Sequence, residues 1–494
     1  MTPSLRYASG PGRWVLAATV LGSGLAAIDA TVVGIALPAI GRDFHAGLAD
    51  LQWVVTAYTL TLAGLLLVAG ALGDRYGRKK VFLIGVVWFA LASALCGVAP
   101  NATMLIAARA LQGVGAALLT PGSLAILEAS FVPEDRGRAI GAWSGLSGVA
   151  TAVGPFLGGW LVQAASWRLI FAINLPLAAL VVVLAIRHVP ESRAPETEDG
   201  AGVDVPGGLL ITLGLVGLTY GLIEGPNRGW QSPSVLASLL LGFALLGGFG
   251  WWQNKAAHPM LPLEVFSSRQ FTATNAVTFV LYGALGGVLF LLPIQLQQVS
   301  GYSALEAGVS LLPVTLLMLT LSARSGALAS RIGPRLQMSV GPCLAGLGLA
   351  LLVRVNGSGS YLTEVLPGVL VLGLGLATTV APLTSTALSS APAQHAGMAS
   401  AVNNDVARAA SLIAVAVLPA IAGITGSAYL HPATFSSGFH KAVLVSGALC
   451  VLSGLMAAAL IRNPARPTAA AAPGEAGPAA PQHSCGLDAP PNRP

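Results

Sequence analysis

GALGDRYGRKK, residues 70–80, packs five charged residues (Asp74, Arg75, Arg78, Lys79 and Lys80) into its last seven positions. Elsewhere in the 494-residue chain charge is scarce, with 9% of residues charged and 54% apolar. Long apolar runs flank the stretch on both sides. Mean hydropathy is +0.76, and apolar runs of the length that crosses about 30 Å of hydrocarbon recur along the chain. They are continuous rather than alternating, which selects helices over barrel strands. Residues 70–80 are therefore a polar loop between two spanning helices of a polytopic membrane protein.

Fourteen spans are predicted, near residues 14–38, 51–73, 81–99, 103–127, 138–164, 168–187 and 205–225, then 233–253, 271–296, 304–329, 336–354, 361–385, 397–425 and 441–461. An even number puts both termini on one side. With the termini in the cytoplasm, 18 of the 25 basic residues fall in cytoplasmic segments and five outside, while Arg109 and Arg408 lie within spans. That bias is the positive-inside pattern. It accounts for the net charge of +6 without a nucleic-acid partner, and it places the protein in the plasma or inner cell membrane with both termini cytoplasmic. The run from Trp14 to Ala27 has the look of a leader. Asp29 interrupts it and the apolar run then resumes as far as Pro38, so a spanning helix is expected rather than a cleaved signal. The four cysteines have neither CxxC nor metal-ligand spacing, and no metal or disulfide framework is expected.

The charged loop has an echo. Residues 326–336 read GALASRIGPRL, matching at Gly326, Ala327, Leu328, Arg331 and Gly333 with an offset of 256. The same offset pairs Gly141 with Gly397 and Ser144 with Ser400. Two homologous halves follow. An amino-terminal segment (1–13) precedes a six-helix half (14–187), a cytoplasmic linker (188–204), two additional helices (205–254), a second six-helix half (271–461) and a Pro/Ala-rich tail (462–494) expected to be disordered. Parallel six-helix halves are a repeat architecture of secondary transporters, which hold substrate at the half-to-half interface near the midplane.

The loop resembles the signature between the second and third helices of the major facilitator superfamily. Arg109-Ala-Leu-Gln-Gly-Val-Gly115 resembles that family's intramembrane arginine motif. The stretch from Gly148 to Gly159, with Gly154, Pro155 and Gly158, resembles the antiporter motif that marks exporters. Ile28-Asp-Ala-Thr-Val-Val, Leu37-Pro38, Gln52-Trp53 and the Trp167-Arg168…Asn174-Leu-Pro176 run resemble the fourteen-helix drug:proton antiporters. The resemblance spans residues 14–461. It implies an all-α integral membrane fold of two six-helix halves plus two central helices. It also implies a latch at Gly70, Gly73, Asp74, Arg75, Gly77 and Arg78 that opens and closes as the halves rock. Arg136 or Arg138, from the facing loop, is a candidate partner of Asp74.

Ionisable residues inside spans are costly and normally face a cavity or a partner. Asp29 and Arg109 lie at similar depth from one face, roughly 13 and 8 Å in at 1.5 Å per residue. Either Asp29 binds a proton or a cationic substrate while Arg109 tunes it, or the two form a static buried pair. Asp405 and Arg408 are three residues apart, on one helical face. Self-neutralisation is the plain reading of that pair and a second proton site the functional one. Gln52, Trp53, Tyr58, Gln112, Asn275, Tyr282 and Arg408 are candidates to line a substrate cavity, although polar residues in spans also bond neighbouring helices. The closely spaced glycines and Pro155 of the fifth span allow close, bent packing, a structural role. Ser330 and Pro334 replace the acid and a base in the echo, so no latch is expected in the second half.

No P-loop lysine pattern is present, and no catalytic constellation stands out, so an enzyme is not expected. The sequence predicts a monomeric, cofactor-free, proton-driven exporter of an amphiphilic small molecule, of the drug or antibiotic efflux type. An uptake symporter of the same fold, or a non-transporting sensor or scaffold, is the alternative.

Overall fold

The computed structural model of the protein describes residues 5–193, 202–357, 360–390 and 396–463. Fourteen helices among them are long and apolar enough to cross a membrane. They are α1 (Gly10–Phe44), α2 (Leu48–Tyr76), α3 (Arg78–Gly97), α4 (Ala102–Ser130), α5 (Pro133–Ala164), α6 (Leu169–His188) and α7 (Val205–Arg228). The remainder are α8 (Pro233–Gln253), α9 (Arg269–Gln298), α10 (Ala304–Ile332), α11 (Arg335–Arg354), α12 (Tyr361–Ser389), α13 (Met398–Ile421) and α14 (Pro432–Leu460). Each predicted span has a counterpart. Most of the expected disordered tail, and residues 194–201 of the expected linker, lie outside the described residues.

Local chemistry sets the helix ends. Ser9, Asn101 and Ser268 accept backbone N–H bonds at the starts of α1, α4 and α9, supplying partners that a first turn otherwise lacks. The first span overruns its expected end: α1 continues through Pro38 to Phe44. A proline removes one helical hydrogen bond, but Leu37 and Ile40 on either side are fully buried and packing carries the helix onward. Gly77 (φ 113°) and Gly333 (φ 91°) end α2 and α10 in the left-handed region, where a β-carbon is disfavoured. Their spacing is the repeat offset read in the sequence. The turns are held alike: Glu191 accepts from the Lys79 and Lys80 amides at 3.1 and 3.2 Å, and Asn463 accepts from the Arg335 amide at 3.0 Å.

Helices α1–α6 pack chiefly on one another, as do α9–α14. The hairpin of α7 and α8 stands beside both groups, with α7 against α2 and α13, where Leu60, Leu215 and Leu412 meet. The two groups are joined at the end remote from the 70–80 loop. There Gln52 Nε2 donates to the Val415 carbonyl at 2.6 Å and Gln297 Nε2 to the Ile35 carbonyl at 2.9 Å. Gly159 faces the Ala304 carbonyl, and Gly308 faces the Pro155 carbonyl. At the loop end of α5, by contrast, a β-carbon on Gly137, Gly141 or Gly145 would meet nothing within 4 Å. Among the described residues, hydrogen bonds join the groups at the far end and none does so at the loop end.

Asp204, buried at the start of α7, anchors the hairpin. It accepts from Gly207 N (2.8 Å), Trp252 Nε1 (2.8 Å), Gln253 Nε2 (2.6 Å) and Met260 N (3.4 Å). Burial pushes its carboxyl up, but these hydrogen bonds outweigh that and hold it below the usual range. A carboxylate with a depressed folded pKa contributes stability above its unfolded value, near 3.9, and loses it as pH falls through the folded one. Asp204→Ala removes bonds to a charged acceptor and is expected to cost about 2–3 kcal/mol. Thermal melts in detergent at pH 7 will read the loss, and the gap from wild type will shrink below pH 4.

Candidate functional site, a buried charged cluster

Asp29 and Arg109 are 0% and 1% exposed and form an ion pair through Asp29 Oδ2 and Arg109 Nη1. The other carboxylate oxygen, Oδ1, accepts from Gln112 Nε2 at 2.8 Å and Asn174 Nδ2 at 3.2 Å. The guanidinium also donates from Nη1 to Gln112 Oε1 at 2.7 Å and from Nε to the Val54 carbonyl at 3.1 Å. Its flat face lies 4.3 Å from the centroid of the Tyr58 ring. Ser93 Oγ receives Gln112 Nε2 and Asn174 Nδ2 at 3.2 and 3.0 Å, and donates to the Phe171 carbonyl at 3.0 Å. Five helices, α1 to α4 and α6, thus converge on one carboxylate.

A buried ion pair persists only when the remaining lone pairs and protons are also bonded. Here both carboxylate oxygens have donors, and the guanidinium has three oxygen acceptors and a ring. Neutralising Asp29 with a proton would remove the partner of a fully buried cation.

Gln112, a cavity candidate from the sequence, belongs to this cluster. Tyr58 does too, lying under Arg109 with its hydroxyl donating to the Ala26 carbonyl at 3.4 Å. Ser93 and Asn174 were not singled out by sequence reasoning. Asn174 sat in a quoted motif with no role, and the signal for both is a polar group within an apolar span.

The other candidates lie apart. Gln52 bridges to α13, and Trp53 Nε1 donates to Glu224 on α7 at 3.4 Å. Asn275 accepts from Asn403 Nδ2 at 3.0 Å, tying α9 to α13, and the Tyr282 carbonyl accepts from Ser411 Oγ at 3.3 Å. Among the described residues Asp405 and Arg408 make no direct ion pair, and Asp405 Oδ1 and Arg408 Nε are buried without a hydrogen-bond partner. Of the two readings left open for this pair, self-neutralisation has no direct hydrogen bond behind it, although the two residues share a helix face. A β-carbon on Gly148 would lie 3.8 Å from Leu319 on α10 and one on Gly158 3.0 Å from Val32, and Gly154 packs on Thr31. Together with Pro155 and Gly159 they bring α5 against α1 and α10.

The loop charges resolve differently from the expectation. Asp74 Oδ1 pairs with Arg78, at 2.9 Å from Nε and 2.8 Å from Nη2, and Arg78 Nη1 reaches the Ala125 carbonyl at 3.3 Å. Arg138 instead lies over the Tyr7 ring at 4.3 Å, and Arg136 donates to the Phe131 carbonyl at 3.0 Å. Neither facing-loop arginine reaches Asp74, because Tyr7 and the end of α4 hold them. Arg75 lies beside Tyr76, and a β-carbon on Gly70 or Gly73 would come within about 4 Å of Pro121 or Arg78 respectively. Asp74→Asn is expected to slow substrate turnover about two- to fivefold with binding unchanged, since a partly exposed ion pair contributes about 0.5–1 kcal/mol. Initial rates at saturating substrate will test this.

Fourteen apolar helices among the described residues, two groups of six beside a hairpin, with a charged cluster buried inside the first group, define a multi-pass membrane transporter. The model of the Major Facilitator Superfamily matches residues 19–416, and the chain belongs to that family. Multidrug resistance protein Stp of Mycobacterium tuberculosis is 37% identical over 84% of this chain and 77% of its own length. The Tetracenomycin C resistance and export protein of Streptomyces glaucescens is 37% identical over 82% of this chain and 74% of its own. Among solved structures, a bacterial homologue of the human lysosomal transporter Spinster, inward-facing and unoccupied, has a TM-score of 0.65 at 15% identity. It covers 92% of this chain and 97% of its own length, a likeness of fold.

Proposed function

We propose that this protein is a proton-driven exporter that expels amphiphilic small molecules, of the drug or antibiotic class, from the cell. It works as a monomer without a cofactor, in the plasma or inner membrane, with both termini and the 70–80 loop in the cytoplasm. The observation that carries this reading is Asp29, a fully buried carboxylate on a five-helix network with Arg109 as its counter-ion. The names of the relatives, resistance and export proteins, support the direction of transport. The bias of basic residues supports the orientation, in which the loop end of the helix groups faces inward.

In this reading Asp29 takes a proton from outside when the far end opens, Arg109 is released toward Gln112 and Tyr58, and the proton leaves inward as substrate binds. The latch of Asp74 and Arg78 steadies one of the two states. Asp405 of α13, whose Oδ1 is buried without a hydrogen bond, is a second place for a proton, and Asn275, Tyr282 and Arg408 border the substrate path beside it. One proton driven by 100 mV supplies about 2.3 kcal/mol and one pH unit about 1.4 kcal/mol. Together they support accumulation of a few hundredfold.

The test is reconstitution in liposomes holding a pH-sensitive dye, challenged with a panel of amphiphilic compounds. Proton movement that depends on compound, opposite in direction to it, is expected. Movement in the same direction would make the protein an uptake symporter, and silence across the panel in folded protein would refute coupled transport.

A further inference from the structure

A cavity of about 1300 Å³ lies among α9, α10, α12 and α14 at the loop end of the second helix group, away from Asp29. Its origin is the broken repeat. In the first group Arg78 spans from Asp74 to the Ala125 carbonyl, and residues 5–7 close the same corner. Leu5 N donates to the Ser130 carbonyl at 2.7 Å, and Tyr7 N to Asp135 at 2.8 Å. At the offset of 256, Asp74, Arg78, Ala125 and Ser130 become Ser330, Pro334, Ala381 and Thr386, and all four line the cavity. The Ser330 and Thr386 hydroxyls turn back onto their own helices, donating to the Ala327 and Pro382 carbonyls at 2.8 and 2.7 Å. The plug is gone.

What surrounds the space has a definite polarity. Ala273, Ala276, Ala329 and Ala381 give it small apolar walls. Arg269 and Arg462 stand in its lining, both exposed, and no acid does among the described residues. Neither guanidinium has an ion-pair partner among the described residues. Two arginines beside an apolar chamber complement an anion carried on a greasy body, since guanidinium forks match carboxylate and phosphate geometry. Pockets of about 300–1,000 Å³ already accommodate drug-sized ligands, so the volume is ample.

We propose that this cavity binds an anionic amphiphile, one carboxylate or phosphate on an apolar body, with Arg269 and Arg462 holding the anion and the alanine walls taking the body. The site does not depend on proton coupling, and binding is measured without transport.

The experiment uses the full chain in nanodiscs of uncharged lipid, labelled by light with a diazirine-bearing stearate and, in parallel, with the matching neutral alcohol. Adducts of the acid are expected on peptides carrying Ala273–Ala276 or Ala329–Ser330, and at least tenfold less label in the Arg269→Gln/Arg462→Gln double variant. Both arginines are exposed, so the variant keeps its fold, which a melting curve checks. Ala329→Phe, filling the chamber, should lower the label likewise. Competition by short-chain phosphatidate would identify the bilayer as the source of the ligand, and competition by a soluble aromatic sulfonate would identify the cytoplasm. Equal labelling by the alcohol, adducts elsewhere, displacement by inorganic phosphate alone, or no response to the double variant would each overturn the proposal.

Discussion

Asp29→Asn will abolish compound-dependent proton movement in liposomes, and the few-hundredfold accumulation available from a proton gradient will collapse to none. The asparagine keeps the shape of the site but not its chemistry, because an amide takes up no proton at physiological pH. It also mismatches its neighbours. If its oxygen faces Arg109, its NH₂ meets Gln112 Nε2 and Asn174 Nδ2, both of which are donors to Oδ1 in the wild type. Arg109 then lies fully buried with no counter-charge, a condition that costs about 3–5 kcal/mol. Some loss of stability will therefore accompany the loss of coupling, and a melting curve will show its size. Downhill exchange of compound across the membrane separates the two effects, since it needs a folded carrier but no proton. It should survive in the variant. Proton movement that persists would remove Asp29 from coupling and leave Asp405 as the acid to test.

Gly159→Ala will hold the far end of the two helix groups apart. A β-carbon there would press on the Ala304 carbonyl and come within 2.8 Å of Leu305 Cα. Both obstacles are backbone, which cannot rotate away as a side chain does. Losing about 2–3 kcal/mol from the closed state moves a two-state equilibrium by roughly 30- to 150-fold. Gln297, which bridges to the Ile35 carbonyl at this end, reports the change when replaced by cysteine. A membrane-impermeant thiol reagent should label that cysteine from outside at least tenfold faster in the Gly159→Ala background, while transport falls in proportion. Gly145→Ala on the same helix is the control, because its β-carbon would meet nothing within 4 Å. Equal labelling in both backgrounds would show that the α5–α10 contact does not set closure.

The helices were legible because membrane solvent makes them so. A run of apolar residues long enough to span has no other way to bond its backbone, and all fourteen follow from that. The overrun at Pro38 shows the limit, since a local breaker yields to burial that the chain order does not display. The charged pair was legible as well. Asp29 and Arg109 stand out by type in apolar surroundings, and helix rise places them at one depth. Ser93 and Asn174 were not, because a serine or asparagine in a span is as often a strut between helices as part of a charged network.

By itself the sequence determined the number of spans, the excess of basic residues on one set of loops, the internal repeat and the presence of two buried charges of opposite sign. These depend on composition and spacing along the chain, which neighbouring elements do not alter. Only the tertiary structure decided which partners the polar groups take. It gave Asp74 to Arg78 rather than to Arg138, brought Gln112 and Asn174 to Asp29, left Asp405 and Arg408 unjoined, and opened the cavity where Ser330 and Pro334 replace the plug. Hydrogen bonds and ion pairs act over about 3 Å, and contact at that range depends on how helices distant in sequence pack.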